Sequence, residues 1–367
     1  MNILPIILGS VLAASSPQML LQRQYPDAHL RNAVPAQSGY LVTGYTERKE
    51  EHNNEITNFH TPFVSMLDDQ LEVRWTTHFQ ESRMGLGAIK AVAEHNGIVY
   101  AFGQQYVGID GVAWLVRMDT EGHVLGDYSY YKEGFHTAEG IAVHPQQDGS
   151  IILIADLFLR YGSSGQPWII KIDAQGKKLW DRPLGSAYSM ALGMDITPTP
   201  DGGFVVAGAY YKDLAAMRIQ RATAWLVKLD ATGKQQWERS YPGGMGQMFG
   251  SIESDAEGNL IASLTVDGET KRECKMWVFD AQGNDPIELA AFGEIGFFVS
   301  DMMLSYGDGH VWLAGEMGKE VVTIVLDFRG QMVEQIVHGT AKGVDGRFGA
   351  DGRILWLGRH QLLAVGG

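Results

Sequence analysis

DGGFVVAGAYY (201–211), continued by ATAWLVKLDATGKQQWERSYPGG (222–244), is the stretch whose reading decides the fold. Its Asp-Gly step supplies the positive φ of a tight hairpin turn. A short run of apolar, often β-branched residues follows. The run is too short for a helix and near-continuous rather than alternating, as in strands covered on both faces. Asp230 to Gly233 marks a second hairpin turn, where Asp can bond its own backbone and Gly can take the left-handed position. The stretch therefore reads as strands joined by short turns.

The same grammar recurs along the chain. DGSIILIADLF (148–158) with PWIIKIDAQGKKLWDRPLG (167–185) is the preceding copy, and NGIVYAFG (96–103) with AWLVRMDTEGHVLGDYSY (113–130) the one before. SGYLVTGY (38–45) opens the first, while EGNLIASL (257–264), DGHVWLAGE (308–316) and DGRILWLG (351–358) open weaker ones. The turn glycines Gly39, Gly97, Gly149, Gly202, Gly258, Gly309 and Gly352 are spaced 58, 52, 53, 56, 51 and 43 residues apart. Asp68, Asp173 and Asp230 each stand seven residues before Trp75, Trp180 and Trp237. Sheets of about four strands repeated at this period are blades of a β-propeller.

The ends suggest how such a ring closes. LLQRQYPDAHLRNAVPA (20–36) resembles QWERSYPGGMGQMFGSIESDA (236–256), an outer strand and its exit, whereas 351–367 lacks an outer strand. The expectation is an all-β propeller of seven four-stranded antiparallel blades, closed by the N-terminal strand. Six or eight blades are the alternatives.

Residues 1–14 (MNILPIILGSVLAA) are apolar and end in small residues, which fits a signal peptide over 1–16 despite the lack of an N-terminal Lys or Arg. The run is too short to span a bilayer, and no later stretch is long enough. A single propeller domain over 17–367, monomeric and periplasmic or secreted, is expected. With 29 Lys+Arg against 43 Asp+Glu, the net charge of −14 argues against a nucleic-acid partner. The lone cysteine, Cys274, excludes an intramolecular disulfide and Cys-based zinc or iron–sulfur sites.

At 201–243 the chain resembles bacterial extracytoplasmic β-propeller-repeat proteins, whose blades read DGG-apolar-G and then W-apolar-K-apolar-D-x-x-G-x-x-x-W. It is distantly similar to PQQ-like propeller repeats, although DATGKQQW (230–237) is one residue shorter than their turn. Both resemblances imply a propeller in an envelope or secreted setting and neither implies a reaction. No calcium loop of the D-x-[DN]-x-[DN]-G type accompanies a quinone site, so no cofactor and no metal are expected.

The tryptophans at recurring positions read as packing between blades. No H-E-x-x-H, G-x-S-x-G or P-loop pattern occurs. The innermost strands precede each turn glycine, and they carry charges that differ from blade to blade. Lys90, Glu139, Asp195, Glu253, Asp301 and Arg347 are the axial-channel binding candidates, with Arg31 from the N-terminal segment. Several carboxylates in one channel would raise one another's pKa. Loops at 46–62, 210–224 and 242–250 break the repeat and are candidates for specificity. The expected function is a non-catalytic binding or scaffold module recognising a protein or glycan through its rims or axial mouth. The alternative is a hydrolase or lyase acting on a polysaccharide or small polar substrate, with axial carboxylates as acid and base.

Overall fold

The computed structural model describes residues 21–52, 55–83, 87–107, 110–159, 165–185, 190–211, 222–241, 246–267, 272–293, 297–305, 309–340, 345–348, 354–358 and 361–365. The expected signal peptide lies outside them, as do Lys212, Arg218 and Arg221 of the fourth-unit loop and most of the loop after Tyr241. Among the described residues no helix is long and apolar enough to cross a membrane.

The described elements are strands. The first unit runs β2 (Ala28–Ala36), β3 (Gly39–His52), β4 (Glu55–Leu67), β5 (Val73–His78), with the short β6 (Ser82–Arg83) beside β4. The second is β7 (Ala88–His95), β8 (Ile98–Val107), β9 (Asp110–Asp119), β10 (Val124–Tyr130). The third is β11 (Thr137–Pro145), β12 (Ile151–Phe158), β13 (Gly165–Ile172), β14 (Lys178–Pro183). The fourth is β15 (Met190–Pro198), β16 (Phe204–Tyr211), β17 (Thr223–Leu229), β18 (Gln235–Tyr241). The fifth is β19 (Gln247–Ser254), β20 (Leu260–Asp267), β21 (Arg272–Phe279), β22 (Ile287–Ala291). The sixth is β23 (Phe297–Ser305), β24 (His310–Met317), β25 (Glu320–Asp327), β26 (Met332–Thr340). The last sheet has the order β1 (Leu21–Gln24), β29 (Gln361–Val365), β28 (Ile354–Leu357), β27 (Asp345–Phe348), so its outer strand comes from the other end of the chain. Within each unit consecutive strands pair antiparallel, and a single parallel bridge, Thr137 to Gly111, joins the second and third units into one eight-stranded sheet.

The repeat motif is a set of turn and seam contacts. In each Asp-x-x-Gly turn one carboxylate oxygen accepts two backbone N–H groups, as Asp230 does from Thr232 and Lys234 at 2.9 Å each. Asp119, Asp173, Asp280 and Asp327 do the same. The Lys of W-L-V-K-L-D reaches back to the first turn: Lys228 Nζ, nearly buried, donates to Asp201 at 2.7 Å and Thr199 at 2.6 Å, and Lys171 to Asp148 at 3.0 Å.

The outer-strand tryptophan locks one unit to the next. A Cβ added to Gly233 would stand 2.7 Å from the Trp180 ring, and one at Gly122 would stand 2.7 Å from Trp75. Tyr128 takes the indole's place against Gly176. Hydroxyls reinforce these seams, with Tyr130 donating to the Gly176 carbonyl at 2.6 Å and Tyr241 to that of Gly283 at 2.5 Å. Tyr25, just past β1, donates in the same way to the Leu71 carbonyl at 3.1 Å. Leu71 occupies the turn's glycine position at φ 61°, and its side chain is buried with Leu67 and Tyr40. Core burial there offsets a left-handed backbone that would cost an ordinary residue about 1–2 kcal/mol.

The core lies between sheets. Trp225, Val227 and Leu229 of the fourth unit pack on Ile152, Ile154 and Ile169 of the third, and Phe63 and Leu67 of the first pack on Leu355 and Leu362 of the last sheet. The 46–62 insertion lengthens the first unit's central strands into a hairpin of 14 and 13 residues, with Arg48 bonded to Glu81 and stacked over Phe59.

Candidate functional site

The first strand of each of the first six units carries a register shift, whereas β27 of the last sheet pairs with β28 without one. The shift falls between Leu30 and Asn32, Ile89 and Ala91, Gly140 and Ala142, Gly193 and Asp195, Phe249 and Ile252, and Val299 and Asp301. A bulge bends a strand and re-aims the side chains beside it. These strands adjoin one another: β2 touches β7, β7 touches β11, β15 touches β19, β19 touches β23, β23 touches β27, and β27 touches β2. At the remaining junction β12 and β13 lie against β15.

Asp195 and Asp301 immediately follow their bulges, and both carboxylates cross to the next unit. Asp195 Oδ2 accepts the Ile252 N–H at 3.0 Å and the Ser251 hydroxyl at 3.2 Å, while its Oδ1 accepts the Ile196 N–H at 2.8 Å. Asp301 Oδ2 accepts the Phe348 N–H at 2.8 Å. Asn32 stands at the same position in the first unit, and its Oδ1 accepts the Val92 N–H at 3.3 Å. The third unit has Ala142 there, and the clasp comes instead from Asp156 on β12, which accepts the Gly193 N–H.

The candidates fall into two groups. Lys90, the residue inserted at its bulge, forms an ion pair with Glu139. Glu139 lies directly across the strand pair from Asp156, which is buried and has one oxygen without a hydrogen-bond partner. Burial pushes the Asp156 carboxyl up to about 7, opposed by the Gly193 N–H and the Lys90 charge. Burial lowers Lys90, as does the Arg31 charge, with Asp156 opposing.

Asp195, Glu253, Asp301 and Arg347 form the second group. Burial, followed by repulsion from Asp195 and Asp301, pushes Glu253 up to about 8, opposed by a hydrogen bond from Thr197. Burial raises Asp301 to about 6 against the opposing Arg347 charge, whose guanidinium lies 3.9 Å away. Asp195 is raised by burial too, opposed by the Ile252 and Ile196 N–H groups and by Arg347. His144 faces the same guanidinium; burial and then that charge lower it to about 4, and its Nε2 lacks a hydrogen-bond partner. A carboxyl that keeps its proton near neutral pH, as Glu253 does, can donate a hydrogen bond or serve as a general acid.

Asp156, His144, Asn32 and Thr197 lie outside the residues that the sequence singles out. Asp156 had a signal, being the one acid inside the apolar run IILIADLF. Among the described residues, the one group of three ligand types within 4.8 Å of each other is Asp119, Glu121 and His123, on an outer turn. Asp195, Glu253 and Asp301 do not gather that closely. His136 pairs with Asp110 at 2.5 Å beside the bridge between the second and third units, and His60 stacks on Tyr45 at 4.1 Å.

No protein-family model matches the chain, and no curated protein matches it by sequence. Solved structures match over nearly all of it. The Dos1 propeller is 10% identical and aligns over 95% of this chain and 95% of its own, with a TM-score of 0.57. The β-propeller domain of the Trilobed protease from Pyrococcus furiosus is 11% identical over 94% of this chain and 95% of its own, at 0.53. The polysaccharide lyase Uly1 is 10% identical over 97% of this chain and 93% of its own, at 0.55. At such identities the likeness speaks to the fold alone, which is a β-propeller.

Proposed function

We propose that the seven four-stranded units close into a ring, with β1 as the outer strand of the last blade, and that this single domain is a non-catalytic binding or scaffold module. Closure is supported by the contact of β27 with β2, the β1–β29 pairing and the Tyr25–Leu71 hydrogen bond, which repeats the seam contact made elsewhere by Tyr130 and Tyr241. We also propose that the protein is periplasmic or secreted, reading the apolar run at 1–14 as part of a signal peptide over 1–16.

The observation that carries the non-catalytic reading is what the axial carboxylates do. Asp195, Asp301 and Asp156 each hold a backbone N–H of the following unit, and Lys90 is paired to Glu139. These are groups that hold neighbouring sheets in register. Recognition then falls to the loop rims or the axial mouth, where a protein or glycan would meet a surface that differs from unit to unit.

Glu253 favours a second reading, that of a hydrolase or lyase, because a carboxyl still protonated near neutral pH suits a general acid. The propellers this chain resembles include the lyase Uly1. The two readings separate in a turnover screen over polysaccharides and small polar substrates, run beside a glycan array on wild type and Glu253→Gln. The binding reading expects array or partner signals shared by both proteins and no turnover. Turnover that Glu253→Gln abolishes would overturn it.

A further inference from the structure

Tryptophans on the third strand of the third and fourth units fill the space toward the preceding unit. Trp168 and Trp225 are buried, and their Nε1–H groups donate to Asp181 at 3.0 Å and to Glu238 at 2.7 Å on the adjoining outer strand. Strand register places Phe63 of β4 at the same position. Phe63 lies opposite His78 as Trp168 lies opposite Pro183 and Trp225 opposite Ser240. Two residues on, Ser65 faces Thr76, where Ile170 faces Asp181 and Val227 faces Glu238. The first unit thus has a smaller ring, a hydroxyl in place of a β-branched side chain, and a hydroxyl in place of the carboxylate.

The missing volume is not refilled. A cavity of about 190 Å³ lies there, lined by Phe63, Ser65, Leu67, Thr76, His78 and Tyr25 among others. An apolar cavity of about 150 Å³ is already enough to take a benzene ring. Thr76 and His78 are exposed, so the space is reached from the outer strand. The Ser65 and Thr76 hydroxyls bond to each other at 2.8 Å and keep acceptor lone pairs free for a donor. Among the described residues no Asp, Glu, Lys or Arg lines the cavity and His78 is its one titratable side chain besides Tyr25, so a charged ligand would meet no permanent counter-charge.

We propose that this cavity binds a small, neutral, free aromatic molecule with one hydrogen-bonding group on its edge, of the indole or phenol class. The ligand would take the place that the protein's own indoles take in the third and fourth units, with its polar edge on the Ser65–Thr76 pair. It would also touch Tyr25, which anchors the N-terminal strand to the first unit.

Isothermal titration calorimetry of the full chain with indole, phenol and N-acetyltryptophanamide tests this. Wild type should bind indole or phenol with a submillimolar Kd, at least tenfold more tightly than N-acetyltryptophanamide. Phe63→Trp restores the indole found at Trp225 and should weaken binding at least tenfold while raising Tm. Ser65→Val copies Val227, serves if Phe63→Trp does not fold, and should weaken indole and phenol at least threefold. The proposal is overturned by wild type that binds neither indole nor phenol at millimolar concentration. It is equally overturned by affinities unchanged in the folded variants. Tighter binding of N-acetyltryptophanamide would overturn it in favour of a partner's side chain.

Discussion

Replacing Glu253 by Gln should remove one proton's worth of pH dependence from the protein's stability. The Glu253 carboxyl is pushed up to about 8 by burial and by its acidic neighbours, against an ordinary value of 4.5. The folded chain therefore holds a proton that the unfolded chain releases. The stabilisation is complete below about 4.5 and is lost as pH rises toward 8. One proton corresponds to about 1.4 kcal/mol per pH unit, so the whole interval has a ceiling of roughly 5 kcal/mol. Gln has the shape of the protonated acid and can still accept from Thr197, but it does not titrate. Asp156 and Asp301 titrate in both proteins, so their contributions largely cancel in the difference. Urea denaturation at pH 5, 6, 7 and 8 should show wild type losing stability relative to Glu253→Gln by roughly 1 kcal/mol per pH unit. Parallel curves would mean that Glu253 is solvated and does not feel Asp195 and Asp301.

Asp195→Ala strands the Ile252 N–H and should cost about 1–3 kcal/mol, whereas Asp195→Asn keeps an acceptor and should cost less than half of that. Equal losses in denaturant midpoint would refute the clasp. Gly233→Ala and Gly309→Ala share a left-handed backbone, at φ 79° and 74°, yet only the former meets a neighbour, the Trp180 ring at 2.7 Å. Both should lose about 1 kcal/mol from the backbone, and Gly233→Ala should lose about 1–3 kcal/mol more to the clash. Indistinguishable melting curves would show that Trp180 can move aside. Lys228 and its neighbours hold Asp201 down to about 2 despite some burial, so this contribution is present above about 4 and lost as pH falls through 2. Because the Asp201 side chain is 60% exposed, solvent screening leaves less than about 1 kcal/mol. Lys228→Met should flatten the acid limb between pH 4 and 2 by that amount, and an unchanged limb would assign the depression to Thr199 and the Gly203 N–H.

The strand-and-turn grammar was legible in the sequence because its causes are local. An Asp-x-x-Gly turn satisfies its own backbone through one carboxylate, and apolar runs of strand length with no helical stretch between the copies leave neighbouring sheets to cover both faces. The recurrence of Asp68, Asp173 and Asp230 ahead of Trp75, Trp180 and Trp237 carried the packing reading, and each of those indoles belongs to the outer strand of its unit. The hairpin at 46–62 was visible as an insertion, but its length as paired strands was not.

What the charged residues of the first strands touch was decided only by tertiary structure. Asp195 and Asp301 read as charges facing a channel, yet a bulge turns each toward the next sheet, where it meets an amide some 50 residues further along. In the third unit the same bond comes from a different strand, through Asp156, so no spacing rule could have found it. The cavity beside Phe63 is legible only by comparing one unit with another at matched register, since Phe for Trp looks conservative along the chain. The physical reason is the range of the forces involved. Turns and strand periodicity are settled within a few residues, whereas a buried carboxyl's proton and an unfilled volume depend on side chains from several units at once.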